Sequence, residues 1–522
     1  MEEASDDLAA SGACSFRPVN AHRKGRPSEG SEKHRLPQGG FCIFLCARHR
    51  TDVAPDPRSP QEPIKPFVGP EDTMNLHRKL LKRAEEKRPI RVGLIGAGKF
   101  GTMFLAQARI TPGIHVLGIA DLNVERVREA CRRTGWPAEQ FTAPSFASAL
   151  KTGGTHITDD AIAMVRAGGL DVVIEATGIP QAGIKHALAG IANKRHLIMV
   201  CVEADALAGP LLARKAQEAG VVYSLAYGDQ PAIICELVDW ARTCGFPVVC
   251  AGKGTRYHPA FHESTPETVW QHFGWSEETA KKAGANPKMF NSFIDGTKSG
   301  IEMAAVCNAT GLVPPPDGLG FPPVPAAEIA KVLKPKTDGG ALPYKGTVEV
   351  ISSLNRDMTP VPHHLQMGVY VTYEAPSEYT QRCFNEYWLL PDETGKYAGL
   401  YRPLHMIGLE LGISVASIVL RGEPTGCPMG WHADVVATAK RDLQPGEILD
   451  GEGGYMVWGK ILPSATSLTK KALPLGLAHM KLVRPVAKGQ LVTWADVEVD
   501  PKDPTIAVRR EMEQVFAPSV TA

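Results

Sequence analysis

Apolar positions follow two alternating patterns along the first half of the chain. Short continuous apolar runs are each followed by a longer stretch in which apolar residues recur at every third or fourth position. The first pattern indicates strands covered on both faces, and the second indicates amphipathic helices. The runs are IRVGLIG, HVLGIAD, LDVVIEATG, RHLIMVCVEAD and GVVYSLAYGDQ. This alternation predicts an α/β fold with a doubly wound parallel sheet, which binds ligands at the carboxyl ends of its strands.

Three glycines follow the first predicted strand at the spacing of a dinucleotide-binding turn. Gly96 allows the tight turn, Gly98 lets the backbone approach a pyrophosphate, and Gly101 lets the next helix pack closely on the strand. Asp121 ends the second strand, where its carboxylate can accept hydrogen bonds from the adenosine ribose. The alternative is a glycine-rich turn with a solvated aspartate. We predict a Rossmann domain with further cofactor-binding residues at Lys99, Phe100, Arg126, Thr177 and Gly178.

The choice between NADPH and NADH depends on opposing charges. Asp121 should repel the 2′-phosphate of NADPH, which favours NADH. Asn123 and Arg126 follow within about one helical turn and can donate to that phosphate. We therefore expect the protein to accept both cofactors and to prefer NADPH.

Polar residues follow the other strands at the same predicted edge of the sheet. Each can instead cap the next helix, as Asp and Thr often do at such junctions. Glu203 favours function, because a carboxylate directly after LIMVCV is costly to bury without a partner or a role. The residues at this edge are Thr177, Glu203, Asp205, Tyr227, Asp229 and Gln230.

The chain after Cys250 changes to an α+β pattern with many charged residues. Asp295, Lys298 and Glu302 fall at helical spacing, so we expect them to share one face of an otherwise small and apolar helix. A buried lysine beside carboxylates can protonate a substrate oxygen as hydride arrives, although the same face could be solvated and inert. A second cluster comprises Arg402, His405 and Glu410. The candidate catalytic residues are Lys298, Asp295, Glu203, Lys253 and Asp229.

Composition divides the chain further. Residues 1–73 are rich in Pro, Gly, Ser, Arg and His and lack apolar periodicity, so we expect a disordered leader or a start assigned too far upstream. A short basic amphipathic helix should lead from Met74 into the first strand. We predict a dinucleotide-binding domain at 74–250, a catalytic domain at 251–425 and a small β-rich domain at 426–505.

Charge and cysteine usage exclude several classes of protein. The chain has 57 Lys and Arg against 56 Asp and Glu, without a basic stripe, so nucleic acid is not an expected partner. No stretch is long and apolar enough to suggest a membrane span. The scattered cysteines are typical of a reducing compartment, so we expect a cytoplasmic protein. We also expect a small-molecule substrate and a homo-oligomer.

Two segments near the carboxyl terminus resemble the halves of a SAF domain. They are DVVATAKRDLQPGEILDGEGG and MKLVRPVAKGQLVTWADVEVD, within Asp434–Asp500. Such domains are small β-rich barrels found on otherwise unrelated enzymes. This likeness therefore predicts a fold for the segment and not an activity.

The order of the domains resembles the homoserine-dehydrogenase-like oxidoreductases. Over residues 74–515 the chain is more similar to the bacterial 1-deoxy-D-xylulose 5-phosphate reductoisomerase-like group, through RVGLIGAGKFG, VEADALAGPLLA, YSLAYGDQPA, FNSFIDGTKS and YRPLHMIGLELGIS. That resemblance implies isomerisation and NADPH-dependent reduction of a ketose phosphate for isoprenoid synthesis, with a divalent metal ion such as Mg²⁺ or Mn²⁺.

Two alternatives to this activity remain open. One is a homoserine-dehydrogenase-like enzyme that acts on a small hydroxy acid, polyol or sugar acid, although only IDGTKS of the homoserine dehydrogenase signature is present. The other is a cofactor-binding regulatory protein. The metal ligands themselves are not predicted, beyond Glu203, Asp205 and Asp229 as candidates.

Overall fold

The computed structural model describes residues 75–517, apart from residues 283 and 388, within one compact unit. The prediction for residues 1–73 lies outside the described residues. The first helix is α1, Leu76–Glu85, and the side chain of Asn75 caps it by accepting a hydrogen bond from the Arg78 backbone N–H. The basic helix expected before the first strand is therefore confirmed.

A six-stranded parallel sheet forms the amino-terminal domain. Its strands are β1 (Ile90–Ile95), β2 (Ile114–Ala120), β3 (His156–Thr158), β4 (Val172–Glu175), β5 (His196–Met199) and β6 (Tyr223–Leu225). They lie in the order β3-β2-β1-β4-β5-β6, which is the Rossmann order. The strand order reverses between β1 and β4, and this switch point opens a crevice at the carboxyl ends of the strands. The predicted doubly wound α/β fold is confirmed.

Helices alternate with these strands and cover the sheet. They are α2 (Lys99–Ala108), α3 (Val124–Arg133), α4 (Phe146–Thr152), α5 (Ala161–Arg166), α6 (Pro180–Ala192), α7 (Val202–Glu218) and α8 (Gln230–Thr243). Strand side chains are buried on both faces, which explains the continuous apolar runs. None of the helices in the described part of the chain has the length and apolarity to cross a bilayer.

A second, mixed sheet begins where the first one ends. Its strands are β7 (Val248–Thr255), β8 (Thr347–Ser352), β9 (Val369–Glu374) and β10 (Tyr397–Arg402), in the order β10-β9-β7-β8. Only the β7–β8 pair is parallel. The accompanying helices are α9 (Val269–Phe273), α10 (Glu277–Lys282), α11 (Pro287–Ile294), α12 (Thr297–Thr310), α13 (Ile329–Val332), α14 (Glu378–Glu386) and α15 (Gly412–Arg421).

The carboxy-terminal region is a small β-rich unit. Antiparallel strands β11 (Ala433–Ala439) and β12 (Val457–Pro463) pair along their full length. Single β-bridges, such as those that join Thr438 to Leu491 and Leu443 to Val486, connect the rest of the unit to these strands and to the loop after β11. Helices α16 (Ser464–Lys470) and α17 (Pro504–Phe516) complete it. Short 3-10 helices elsewhere span Ala138–Phe141, Pro259–Glu263, Ala326–Glu328, Lys336–Asp338, Leu475–Leu477 and Trp494–Asp496.

Helix α12 lies at the centre, where the three regions meet. It packs against α7 and α8, against the second sheet, and against β11 and β12. Every residue of α12 is buried except Lys298, which is partly buried. A helix that is apolar on nearly all sides belongs in a core. Its six polar side chains are therefore enclosed between domains, at fixed positions.

Candidate functional site

The turn after β1 has close backbone approaches at two of its glycines. Gly96 has a φ of 95°, and a Cβ there would lie 2.5 Å from the carbonyl oxygen of Ala176. A Cβ on Gly101 would lie 2.3 Å from the Gly96 carbonyl oxygen, so a larger residue would displace α2 from β1. Gly98 is the N-cap of α2, and no atom among the described residues lies within 4 Å of its Cβ position. The backbone at Gly98 therefore leaves room for a pyrophosphate to approach the start of α2.

The two residues that begin α2 are the predicted Lys99 and Phe100. The Lys99 side chain is exposed, and Phe100 is partly buried against the core of the first sheet. The Phe100 backbone also lies close to Gly408. A Cβ added to Gly408 would lie only 2.8 Å from the Phe100 carbonyl oxygen. This contact brings the loop before α15 against the dinucleotide turn.

Asp121 ends β2 and lies beside that turn. Its Oδ2 accepts a hydrogen bond from the Ala97 backbone N–H at 2.8 Å, and its Oδ1 accepts one from the Asn123 backbone N–H at 2.9 Å. Arg126 donates to both carboxylate oxygens at 2.7 and 2.6 Å. Burial acts to raise the pKa of Asp121, but these donors outweigh it and hold that pKa below its usual range. The Asn123 side-chain oxygen accepts from the Arg126 backbone N–H and caps α3.

A buried carboxylate lies under the turn that follows β4. The Thr177 hydroxyl donates to Glu175 Oε1 at 2.6 Å, and His186 Nδ1 lies 3.2 Å from the same oxygen. Glu175 is fully buried, and its other oxygen has no hydrogen-bond partner among the described residues. Gly178 follows with a φ of 69°. Sequence reasoning missed Glu175, although a glutamate inside the apolar run VVIEATG was a usable signal.

Lys298 projects from α12 to the carboxyl edge of the first sheet. There it forms an ion pair with Glu203, which lies in the first turn of α7 just after β5. Both side chains are mostly buried, with 16% and 11% of their surfaces exposed. Burial acts to lower the pKa of Lys298, but the carboxylates around it, Glu203 first, raise that pKa well above its usual value. The structure thus brings two of the predicted catalytic residues together.

A second ion pair lies one helical turn along α12. Lys253 of β7 pairs with Glu302, and its ammonium group also donates to Gln230 Oε1 at 2.8 Å. Lys253 and Glu302 are both buried. Because Gln230 begins α8, this network joins the first sheet, the second sheet and α12 at one point. Lys253 and Lys298 both act on the charge of Asp229, so the structure brings these two candidate residues into one region.

Asp229 belongs to this site and also caps α8. Its Oδ1 accepts a hydrogen bond from the Gln230 backbone N–H at 2.9 Å. Burial, and then the negative charge of Glu302, raise the pKa of Asp229 to about 7. The capping role and the functional role considered for Asp229 are therefore compatible. A carboxyl group with this pKa can give or take a proton near neutral pH.

The single helical face predicted for Asp295, Lys298 and Glu302 is wrong. Helix α11 ends before Asp295, Gly296 adopts a φ of 88°, and α12 begins at Thr297. Asp295 is fully buried and forms an ion pair at 2.7 Å with Lys440. Lys440 lies in the β-rich unit, within residues 434–498. Its Oδ1 accepts from the Thr297 backbone N–H at 2.9 Å. The left-handed glycine turns the Asp295 carboxylate away from Lys298.

Asp205 is also turned away from the crevice. It lies inside α7, where Tyr223 donates to its Oδ1 at 2.8 Å. Burial raises the pKa of Asp205 to about 7, and its second oxygen has no hydrogen-bond partner among the described residues. Because α7 has already begun at Val202, Glu203 and Asp205 point to different sides of the helix.

The cluster predicted around His405 lies on the other side of Lys253. Arg402 pairs with Glu410, and its guanidinium lies 3.5 Å from the Tyr227 hydroxyl. His405 Nδ1 lies 2.7 Å from the Met367 carbonyl oxygen. Burial lowers the pKa of His405, and the nearby Lys253 lowers it further. The His405 imidazole therefore lies close to Lys253 and is protonated less readily than a free imidazole.

The candidate carboxylates do not fit a shared metal ion. Glu203 is bound to Lys298, Asp205 to Tyr223, and Asp229 to the backbone of α8. Across residues 75–517 as described, no three His, Cys, Asp or Glu side chains are grouped so as to hold a metal.

Comparison with known families identifies two segments. Residues 228–411 match the family described as Oxidoreductase DRL, catalytic domain. Residues 434–498 match the SAF domain, which confirms that prediction. The first match begins at the end of the Rossmann sheet and includes Lys253, Lys298 and Glu302. No curated protein sequence matches the chain significantly.

Solved structures show a more distant likeness. A probable dehydrogenase from Thermotoga maritima is 12% identical over 64% of this chain and 90% of that one, with a TM-score of 0.34. An NAD binding oxidoreductase from Klebsiella pneumoniae is 17% identical over 34% of this chain and 45% of that one, with a TM-score of 0.25. This chain therefore spans less than half of the Klebsiella protein. A myo-inositol dehydrogenase from Lactobacillus casei, in complex with NAD(H) and myo-inositol, is 12% identical over 35% and 52%, with a TM-score of 0.25.

All three TM-scores lie below 0.5. The crevice at the switch point of a Rossmann sheet, with its glycine turn and Asp121, suits a dinucleotide. The adjoining segment, which matches the catalytic domain of an oxidoreductase family, supplies paired lysines and carboxylates to the same edge. The chain therefore combines a Rossmann domain with a segment, residues 228–411, that is similar to the catalytic domain of the DRL oxidoreductases and a segment, residues 434–498, that is similar to the SAF domain.

Proposed function

We propose that the protein transfers a hydride between a nicotinamide dinucleotide and a small polyhydroxylated carbonyl compound, or the corresponding alcohol in the reverse direction. The observation that carries this proposal is the position of Lys298. It extends from the catalytic domain to the carboxyl edge of β5, and Glu203 keeps it charged. In the sheet order, β5 is the neighbour of β4, which itself adjoins β1 and its glycine turn. A charged donor therefore lies at the edge where the crevice opens.

Lys298 is suited to protonate the substrate oxygen during reduction. When bound, the nicotinamide supplies the hydride in one direction and accepts it in the other. As negative charge develops on the substrate oxygen, the Lys298 ammonium stabilises it and then gives up a proton. Glu203 orients the ammonium group, and the high pKa of Lys298 delays proton loss until that charge has formed. Glu302 and Gln230 hold the Lys253 ammonium group in place, and Lys253 forms the opposite wall of the site.

The charges of the site favour a substrate rich in hydroxyl groups. Two lysines, Lys253 and Lys298, lie near the carboxyl groups of Glu203, Asp229, Glu302 and Glu452, the last of which belongs to the SAF segment. Carboxylates accept hydrogen bonds from hydroxyl groups and repel anions. This excess of carboxyl groups supports a polyol or a sugar derivative over a strongly anionic compound at the reacting centre.

Isomerisation and reduction of a ketose phosphate is the second candidate. This candidate rests on the resemblance noted from the sequence, because the match of residues 228–411 supports an oxidoreductase catalytic domain and not this reaction in particular. The metal-assisted form of that reaction needs a group of metal ligands, and the described residues contain no such group of His, Cys, Asp or Glu side chains. It stays a prediction, as do the isoprenoid pathway, the homoserine-like activity and the homo-oligomer.

A substrate screen tests the proposal. The purified full-length chain is incubated with NADPH or NADH and with sugars, polyols, sugar acids, homoserine or deoxyxylulose phosphate, with and without Mg²⁺ or Mn²⁺. We expect the absorbance of the reduced nicotinamide to change with a polyhydroxylated compound and without added metal. Turnover only with deoxyxylulose phosphate and a metal ion would favour the second candidate. Cofactor binding without turnover of any compound would contradict the proposal and favour a regulatory protein.

We further propose that Arg126 lets the protein accept NADPH as well as NADH. Its guanidinium neutralises Asp121, yet 56% of its side-chain surface is exposed, so it is free to turn to a 2′-phosphate. Removing it would also leave the Asp121 charge unscreened against that phosphate. We expect Arg126→Ala to weaken NADPH binding by about tenfold and NADH binding by about twofold or less.

Titration of each reduced cofactor by fluorescence measures this selectivity. The control is Arg128→Ala on the same helix, because Arg128 pairs with Glu125 and does not contact Asp121. Equally weakened binding of both cofactors, or unchanged binding of NADPH, would show that Arg126 does not bind the 2′-phosphate.

A further inference from the structure

A buried carboxyl group holds the Thr177 hydroxyl at the end of β4. That hydroxyl donates to Glu175 Oε1 at 2.6 Å, and His186 Nδ1 lies 3.2 Å from the same oxygen. Helix α6 packs tightly over Glu175, because a Cβ added to Gly183 would lie 3.3 Å from Glu175 Oε2 and 2.8 Å from the Ala204 Cβ. Glu175 is fully buried, and its Oε2 has no hydrogen-bond partner among the described residues. Burying a carboxyl group in this way costs stability, which indicates a role beyond packing.

Thr177 lies directly beside the glycine turn of the first sheet. The Ala176 backbone N–H donates to the Ile95 carbonyl oxygen at 2.8 Å, so the chain after β4 stays paired with the end of β1. A Cβ added to Gly96 would lie 3.0 Å from the Thr177 backbone nitrogen. Thr177 is partly exposed at this edge, whereas Glu175 beneath it is not. A ligand in the crevice can therefore reach Thr177 and cannot reach Glu175.

The position of β4 relates Thr177 to one half of a dinucleotide. The two halves of a Rossmann sheet each bind one mononucleotide, on either side of the switch point. Asp121 follows β2 and is predicted to bind the adenosine ribose. Strands β4 and β5 lie on the other side of β1. This placement assigns Thr177 to the half of the crevice that receives the nicotinamide mononucleotide.

The hydrogen bond to Glu175 limits what the Thr177 hydroxyl can bind. A hydroxyl group has one hydrogen and two lone pairs. Its hydrogen is donated to Glu175, and one lone pair accepts from the Ile179 backbone N–H at 3.3 Å. The second lone pair can only accept a hydrogen bond. Ionised phosphate oxygens have no hydrogen to donate, whereas a ribose hydroxyl or a carboxamide NH₂ group does.

We propose that Glu175 is a positioning residue that keeps the Thr177 hydroxyl as an acceptor for a hydrogen-bond donor of the nicotinamide half of the cofactor. That donor is a ribose hydroxyl or the carboxamide NH₂ group. The inference rests on the use of a nicotinamide dinucleotide in the proposed function. Glu175 acts only through Thr177, because removing its carboxyl group would free the hydroxyl to rotate and to present its hydrogen to the ligand.

Calorimetric titration without substrate tests this role with NAD+ and with ADP, which lacks the nicotinamide half. We expect Glu175→Met and Thr177→Val each to weaken NAD+ binding by about tenfold and ADP binding by about twofold or less. Glu175→Gln keeps a carbonyl oxygen that can accept from Thr177, so its Kd for NAD+ should stay within about twofold of the wild type. The double variant Glu175→Met/Thr177→Val should bind NAD+ no more weakly than Thr177→Val alone.

The matched control is Thr155→Val at the opposite edge of the sheet. Thr155 is a buried threonine just before β3, and its hydroxyl donates to the Val116 carbonyl oxygen at 2.6 Å. Its loss should leave the ratio of the NAD+ and ADP dissociation constants unchanged. If Glu175→Met does not fold, Glu175→Met/His186→Leu replaces both polar partners by apolar groups, and the same selective loss is expected. Additive losses in Glu175→Met/Thr177→Val, or equal losses for NAD+ and ADP, would overturn the proposal.

ADP-ribose distinguishes the two possible donors, because it keeps the second ribose and lacks the carboxamide. Weaker binding of ADP-ribose to Thr177→Val would identify a ribose hydroxyl, and unchanged binding would identify the carboxamide. These measurements need no turnover. If NAD+ binding follows the expected pattern but no compound is reduced, the proposed function fails and the role of Glu175 stands. Normal turnover with an unchanged ratio of NAD+ to ADP affinity in Thr177→Val would overturn this role alone.

Discussion

Replacing Lys298 by methionine should lower the rate of hydride transfer by about two to four orders of magnitude. In the proposed mechanism, Lys298 stabilises the charge that develops on the substrate oxygen and supplies its proton, which methionine cannot do. Its position beside Glu203 and away from the glycine turn leaves cofactor binding largely intact. We therefore expect the Kd for NADPH to change by about twofold or less.

Single-turnover absorbance of the reduced nicotinamide measures the chemical step, and fluorescence titration measures cofactor binding. The control is Lys282→Met on α10, because that side chain is exposed and pairs with Glu278 at the surface. A Lys298→Met variant with near-normal turnover would assign Lys298 to a structural ion pair, and the proposed mechanism would fail with it. Equal losses in turnover and cofactor affinity would instead indicate a collapsed site.

The first sheet could be predicted from the sequence because its determinants are local. The apolar runs around Leu94 and Ile174 are continuous, since helices cover both faces of the strands. The spacing of Gly96 and Gly101 has a steric reason that acts within a few residues. Residues at strand ends, such as Glu203 and Asp229, could be predicted as site residues, because the carboxyl ends of parallel strands lie at one edge of the sheet.

The pairings within the site depend on contacts between distant segments, which periodicity does not report. Lys253 and Glu302 are far apart in sequence, and Glu452 arrives on a loop of another domain. No local pattern in DGEGG distinguishes Glu452 from a solvated loop residue. The prediction for Asp295 is wrong for a different reason. It extends the helical spacing through Gly296, but the left-handed backbone of Gly296 separates the end of α11 from the start of α12.

The pair formed by Asp295 and Lys440 should contribute strongly to stability. Both side chains are almost completely buried, and Lys440 also donates to the Ser264 and Gly454 carbonyl oxygens at 2.8 Å. Lys440→Met would leave the Asp295 carboxylate buried without its cation. We expect this substitution to lower the free energy of unfolding by about 3–5 kcal/mol. By contrast, Lys488→Met removes an exposed pair with Glu263 and should cost about 1 kcal/mol or less.

A double substitution separates the structural role of Asp295 from the catalytic role first predicted for it. Asp295→Asn keeps an oxygen that can accept from the Thr297 backbone N–H, and combining it with Lys440→Met removes both charges from the core. We expect the double variant to be more stable than either single variant, because no unpaired charge stays buried. Denaturant unfolding, followed by tryptophan fluorescence, measures this coupling. At a temperature where Asp295→Asn remains folded, its kcat should stay within about tenfold of the wild type, whereas direct participation in proton transfer would cost about a hundredfold or more. A loss of that size in a folded Asp295→Asn variant would restore Asp295 to the catalytic set.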